Sequence, residues 1–191
     1  MELSNKDKLL VTLLTDIYGH LKVVGALDPF LVHRAVSSDQ GWALEWKYPA
    51  LFPPSGECPA EVAYVMQVLS MWERIELSYE ALDVEEQLLL ARDVGLTAAK
   101  PVFPGFNSKQ EGALLGIARL LVNDLQRWPL FSGRLRSARH STVAGYDRML
   151  AVLRGLSCAE PDSGQLAWPE LSRLLNAWRQ TEGEEGLGGH R

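Results

Sequence analysis

The sequence predicts an all-α protein, a single-domain multihelical bundle of about six to eight helices with no significant sheet. Apolar residues recur at spacings of three and four over most of the chain, capping residues precede several of these segments, and no useful stretch alternates as a strand does. At 191 residues the chain suits one hydrophobic core, so we expect one helical domain over residues 1–180. The Gly- and Glu-rich tail, residues 181–191, cannot bury enough apolar surface to order itself, and we expect it to be disordered.

The first helix begins after Ser4, whose hydroxyl can cap it. Its apolar positions are those of an amphipathic helix: Leu9, Leu10, Leu13, Leu14, Ile17, Leu21 and Val24. The seam is close to a heptad but lasts only about two heptads, fewer than a coiled coil needs. We expect this face to pack into the protein; the alternative is a partner helix from another subunit.

Two shorter helices follow. Asp28 is a cap that precedes a proline at the first helical position, and the helix it opens runs through Val36. Between Gly41 and Pro49 three aromatic residues precede a group of prolines, which predicts one or two helical turns that the prolines end. The aromatic side chains form either a lid over the core or an exposed interface patch.

The longest helix opens at Pro59 and runs to about Leu82, with an apolar stripe on one face and glutamates on the other. A weaker, leucine-rich helix covers residues 84–94. Near the end of the chain, Ser141 is predicted to cap a further helix, residues 161–164 predict a turn, and a last helix starts at about Trp168.

The central stretch of the chain joins a short loop, residues 103–107, to a helix that we expect to run to Trp128. Ser108 and, three residues later, Glu111 predict a capping box, so the helix should open at Ser108. The broad apolar stripe behind it predicts neighbours on more than one side. The loop is either structural, with its phenylalanines plugging the core, or an anion site formed by the first amides of the helix and Lys109.

The same stretch and one later helix carry a family pattern. Its residues are Phe103, Pro104, Gly105, Phe106, Asn107, Glu111, Arg127 and the segment Tyr146-Asp147-Arg148-Met149-Leu150. This pattern resembles the YfbU family of bacterial proteins over roughly residues 1–178. It departs from the family at Asn107, where Asp is usual, and at Ser108, where Gly is common. The resemblance implies an all-helical, oligomeric cytosolic protein of no settled activity, so it assigns no functional residues.

Composition narrows the class of protein. Apolar residues make up 47% of the chain and the formal charge is −5, which describes a globular protein without general affinity for nucleic acid. We find no signal peptide and no segment that could span a membrane. Cys58 and Cys158 lie far apart with no second metal ligand nearby, so we expect reduced thiols and a cytoplasmic location.

No constellation of catalytic residues is present in the sequence. The four histidines, His20, His33, His140 and His190, are scattered without carboxylates at ligand spacing, and no serine lies in a nucleophile elbow. We therefore expect no metal and no cofactor, and we favour a protein that is not an enzyme.

Charge is distributed unevenly along the chain. From residue 119 to 154 seven arginines accompany two aspartates, a local charge of +5, whereas residues 57–93 hold nine acids and two arginines, a local charge of −7. Opposite blocks predict contact between them, within the fold or between subunits. The use of Arg alone favours bidentate pairing with carboxylate or phosphate.

Three functions follow from these patterns. The first is a non-enzymatic, homo-oligomeric protein that acts through protein contacts or in regulation. The second is binding, or turnover, of a phosphate-bearing molecule at the loop that contains Arg134, Arg136, Arg139 and His140. Nucleic-acid binding by the same stretch ranks third, because the stretch lacks interleaved aromatic residues. The central motif, Phe103, Gly105, Phe106, Asn107, Ser108 and Glu111, is assigned to structure.

Overall fold

The computed structural model describes residues 4–22, 25, 27–53, 56, 58–95, 100–157 and 164–179. It confirms an all-α fold, with eight α-helices and no strand within these residues. The helices are α1 (Asn5–His20), α2 (Pro29–Ser37), α3 (Gly41–Lys47), α4 (Ala60–Ala81), α5 (Val84–Val94), α6 (Gly112–Arg119), α7 (Val143–Ser157) and α8 (Trp168–Arg179).

The chain divides into two compact units, which we describe separately. The first unit combines Met1–Ala63 with Gly116–Gly133, and the second combines Tyr64–Leu115 with Arg134–Arg191. The predicted turn at residues 161–164 falls largely outside the described residues, and the predicted disordered tail and Cys158 fall wholly outside them.

Two predicted caps of the first unit are confirmed. The Ser4 hydroxyl accepts from the Asp7 amide at 3.3 Å, and the Asp7 carboxylate accepts from the Ser4 amide at 3.0 Å, a complete capping box. Asp28 accepts from the amides of Phe30 and Leu31 at 2.9 and 3.2 Å. Short side-chain signals of this kind act within one helical turn, which is why the sequence predicts them well.

The aromatic residues of α3 lie as the lid interpretation requires. Trp42 is buried, Trp46 is half-buried, and their ring centroids are 5.0 Å apart in an edge-to-face arrangement. The Arg127 guanidinium lies 4.8 Å from the centroid of the Trp46 ring, a cation–π contact.

The central helix is shorter than predicted. Regular α-helix ends at Arg119, and the next five residues, Leu120–Asp124, form a π-helical turn. Gln126 and Trp128 then adopt positive φ angles of 53° and 49°, so the helix cannot continue to Trp128 as expected. The apolar spacing continues beyond Arg119, but periodicity does not distinguish an α-helical from a wider turn.

The second unit is built around an aromatic cluster. Trp72 of α4 lies 6.0 to 6.4 Å, between ring centroids, from Phe103, Tyr146 and Trp178. Tyr146 of α7 and Trp178 of α8 stack at 5.1 Å. The cluster therefore ties three helices, α4, α7 and α8, to the central loop, and α8 also packs on α5.

Candidate functional site

The central loop of the second unit needs a glycine at its turn. Gly105 has a φ of +86°, and a Cβ atom at this position would lie 2.0 Å from the carbonyl oxygen of Arg136. Both the backbone angle and the contact exclude other residues. The assignment of Gly105 to structure therefore has a direct physical cause.

Hydrogen bonds hold the central loop against the arginine-containing loop, residues 134–140, and against α7. The Ala138 amide donates to the Phe106 carbonyl at 3.1 Å, next to an isolated parallel bridge between Phe106 and Ser137. From α7, the Tyr146 hydroxyl donates to the Gly105 carbonyl at 2.5 Å. The arginine-containing loop, which carries the predicted site, thus packs directly on the residues of the family motif.

Asn107, and not Ser108, supplies the side-chain acceptor for the turn that leads from the loop into α6. The Asn107 side-chain oxygen accepts from the amides of Lys109 and Gln110 at 2.9 and 3.0 Å. Ser108 instead uses its amide and hydroxyl to contact the Ser137 hydroxyl, both at 2.9 Å. The predicted capping box is therefore wrong, because Asn107 and not Ser108 is the acceptor, and regular helix begins at Gly112 and not at Ser108. Asn is as good a cap as Ser, and only the backbone path decides between neighbours.

Glu111 is a buried carboxylate that accepts five hydrogen bonds. Its Oε2 accepts from the Asn107 amide and the Thr142 hydroxyl, and its Oε1 accepts from the Ser141 hydroxyl and the amides of Thr142 and Val143, all between 2.6 and 3.0 Å. Burial acts to raise the pKa of Glu111, but the hydrogen bonds outweigh it and hold the pKa below its ordinary value.

The Glu111 carboxylate lies at the N-terminus of α7, where it satisfies the first amides of that helix. The prediction that Ser141 caps α7 is therefore wrong, since Ser141 donates to Glu111 instead of accepting from the helix. One side chain joins the starts of two helices that are about 30 residues apart, as the 31-residue separation of Glu111 and Thr142 shows.

A second buried carboxylate, Glu76 of α4, forms an ion pair with Arg134, one of the predicted site residues. Its Oε2 lies 2.8 Å from the Arg134 guanidinium, and its Oε1 accepts from the Phe103 amide at 2.9 Å. This ion pair joins the acidic and basic blocks of the sequence within one unit. Arg134 is therefore a structural residue of the loop as well as a lining residue of the cleft described next.

The predicted site residues meet in one open cleft of about 1220 Å³, the basic cleft. Its polar and charged lining residues are Asn107, Lys109, Gln110, Arg134, Arg136, Ser137, Arg139, His140, Ser141 and Thr142. Val102, Phe103, Pro104, Ala138, Ala144 and Trp178 form its apolar lining. Among the described residues that line it, none is acidic.

Sequence reasoning found the four basic residues of the loop but missed two other groups. Lys109 lies in the same cleft, although it was considered only with the amides of its own helix. Trp178 comes from α8 and is 38 or more positions away from the loop, and no sequence pattern joins the two. Such contacts depend on helix packing, which local spacing does not encode.

The first unit contains a different kind of surface, the apolar face of α1. Its members are Leu9, Leu10, Leu13, Leu14, Ile17 and Leu21, which are 51% to 70% exposed. At 100° per residue they lie within an arc of about 140°. The half-buried residues of α1, Lys8, Val11, Thr12, Thr15 and Tyr18, lie on the opposite side.

This arrangement overturns the expectation that the apolar face of α1 packs into the protein. None of the residues of α1 is buried. The helix packs on α2 within the first unit, and Lys8 forms an ion pair with Asp39 at 2.6 Å. The mixed, largely polar side of α1 thus faces its neighbour, and the apolar side faces solvent.

A family model now decides the relationship that the motif suggested. The model of the YfbU domain matches residues 1–177. The chain belongs to the YfbU family. The match covers the whole central motif and all the helices up to most of α8, so Gly105, Asn107 and Glu111 lie within the YfbU domain. No curated protein and no solved structure matches the chain.

The described residues contain neither a membrane-spanning helix nor a cluster of metal ligands. No helix there is long and apolar enough to cross a membrane. In the same part of the chain, no group of three or more His, Cys, Asp or Glu side chains is arranged to hold a metal ion.

Proposed function

We propose that this YfbU protein is a homo-oligomer that acts through protein contacts, and that a second copy of the chain packs on the apolar face of α1. The observation that carries the proposal is the orientation of α1. A surface helix normally turns its apolar stripe to the core. Here six aliphatic side chains along the whole helix are each more than half exposed.

The size of this face favours a stable partner. The exposed fractions of the six side chains amount to roughly three and a half fully exposed leucines per copy, at ~1.5–3 kcal/mol each on burial. Two copies would gain about 10–20 kcal/mol, against an association cost of ~4–15 kcal/mol. Single exposed leucines need no explanation, but a continuous face of this kind marks an interaction site.

The chemistry of the face supports a second copy of the same helix as the partner. Leu10, Leu14, Ile17 and Leu21 follow a near-heptad seam, the spacing that matches another helix with the same seam. In a two-fold arrangement each seam would meet itself, and an antiparallel pair would place opposite helix dipoles side by side. The short seam suits such a pair, since the rest of each subunit supplies further stability.

The proposal is tested by light scattering and sedimentation of the purified full chain at about tens of micromolar, concentrations at which a net affinity of about 8 kcal/mol or more keeps most of the chain dimeric. We expect the wild type to be a dimer or a higher oligomer. Leu14→Glu should give a monomer with unchanged helix content, because a charge in the centre of the face cannot be desolvated.

The matched control is Leu88→Glu in α5. Leu88 is 67% exposed and Leu14 is 63% exposed, so the two substitutions are alike except for their position. The control should leave the oligomer intact. A strictly monomeric wild type, or equal behaviour of the two variants, would overturn the proposal.

A further inference from the structure

We propose that the basic cleft binds a small organic phosphate, a molecule with a phosphate group attached to a part that offers an apolar face. This inference is independent of the proposed oligomer. The cleft residues all belong to the second unit, whereas α1 belongs to the first.

The positive charge of the cleft is uncompensated. Within the described residues, four side chains of the cleft form no ion pair or hydrogen bond: Lys109, Arg136, Arg139 and His140. The nearby carboxylate of Glu76 already pairs with Arg134 and accepts from the Phe103 amide. No acid lines this described cleft. Cations gathered without carboxylates repel each other, and a bound anion relieves that repulsion. The planar forks of two arginines suit the oxygens of a phosphate.

The backbone amides near the cleft are already in use. Asn107 accepts from the amides of Lys109 and Gln110, and Glu111 accepts from those of Thr142 and Val143. A helix N-terminus therefore cannot hold the anion here. Recognition must come from the free cationic side chains, which makes their substitution a decisive test.

The shape and the apolar lining of the cleft select a small molecule over a polymer. Val102, Pro104 and Trp178 are among the lining residues of the cleft, and Val102 is half exposed. Such a wall can receive a ring attached to the phosphate. The volume of about 1220 Å³ is somewhat above the ~300–1,000 Å³ of typical ligand pockets, which leaves room for a molecule of nucleotide size. The charge of −5 on the whole chain repels long polyanions.

The test is titration calorimetry of the full chain with AMP, adenosine, ribose 5-phosphate and inorganic phosphate at low salt. AMP should bind with a Kd below about 1 mM. Removing the phosphate, as in adenosine, should weaken binding at least about tenfold, the effect of one lost charge-assisted contact. Ribose 5-phosphate should bind more weakly than AMP, because it lacks the ring that the apolar lining receives, and inorganic phosphate should bind more weakly still.

The variant Arg136→Ala/Arg139→Ala should weaken AMP binding at least about tenfold. Its control is Arg92→Ala/Arg154→Ala, which removes the same charge from exposed positions of α5 and α7 outside the cleft and should change the Kd less than about twofold. Arg136→Lys/Arg139→Lys keeps the charge and should fall between the two. This variant also replaces the alanine variant if that one does not fold, as judged by circular dichroism.

Three outcomes would overturn the inference. The first is a wild type that releases no heat with any of the phosphates. The second is an equal loss of binding in the cleft variant and the control variant. The third is a single-stranded oligonucleotide whose binding AMP does not compete. The Leu14→Glu variant separates the two proposals, since it should bind AMP as the wild type does even where it no longer forms an oligomer.

Discussion

The helices α1 and α8 show how differently two amphipathic helices of one chain can be used. Both have leucines at spacings of three and four. In α8, Leu171, Leu174 and Leu175 are at most 5% exposed, whereas the six residues of the apolar face of α1 are more than half exposed. Periodicity therefore predicts that a helix has an apolar face, but the neighbours decide whether that face is covered by the same chain.

The largest expected effect on stability comes from replacing one leucine of each helix by alanine. Leu171→Ala should destabilise the chain by about 2–5 kcal/mol, because a fully buried side chain leaves a cavity. Leu14→Ala should change the free energy of unfolding by less than about 0.5 kcal/mol when the chain is dilute enough to be monomeric. Urea unfolding at several protein concentrations measures both, and equal losses in the dilute limit would contradict the comparison.

A smaller effect tests which residue caps the helix after the central loop. Asn107→Ala should cost about 1–2 kcal/mol, because two amides of the helix start lose their acceptor and the carbonyls of Ala138 and Arg139 lose a donor. Ser108→Ala removes only an exposed contact with Ser137 and should cost less than about 0.5 kcal/mol. Thermal melts of the two variants decide between them; a larger loss for Ser108→Ala would restore the capping box that the sequence suggested.

The smallest expected effect is the pH-dependent part of the free energy of unfolding that comes from two carboxylates with opposite pKa shifts. The pKa of Glu111 is lowered in the folded state, so its stabilisation is present at neutral pH and is lost as the pH falls below its ordinary value. Asp124 of the first unit is nearly buried, and burial raises its pKa despite an ion pair with Arg34 at 3.2 Å. Its Oδ2 has no hydrogen-bond partner within the described residues. Asp124 therefore opposes folding as the pH rises above its ordinary value.

The pH effect is measured by unfolding between pH 7 and pH 3. The stability difference between wild type and Glu111→Gln should shrink as the pH falls, since protonation removes what the substitution removes. As the pH rises, the free energy of unfolding of Asp124→Asn should increase relative to that of the wild type, because the variant lacks the cost of an incompletely satisfied buried charge. A difference that does not vary with pH for either variant would contradict the assigned shifts.

The sequence predicted those parts of the fold that depend on interactions within a few residues. The caps at Ser4 and Asp28 and the bounds of α2, α4 and α5 arise from local backbone chemistry. The errors lie where two local solutions are similar in energy. Asn107 and Ser108 are both good caps, and an α-turn and a π-turn have compatible apolar spacing.

By itself, then, the sequence determined the all-α class, the family motif and the presence of an arginine-rich loop. Only the tertiary structure decided that Glu111 links the starts of two helices and that Glu76 forms an ion pair with Arg134. It also decided that Lys109 and Trp178 line the same cleft as Arg136 and Arg139. It also decided that the apolar face of α1 points outward. The physical reason is that capping and periodicity act over one or two turns, whereas burial and ion pairing depend on which distant segments pack together.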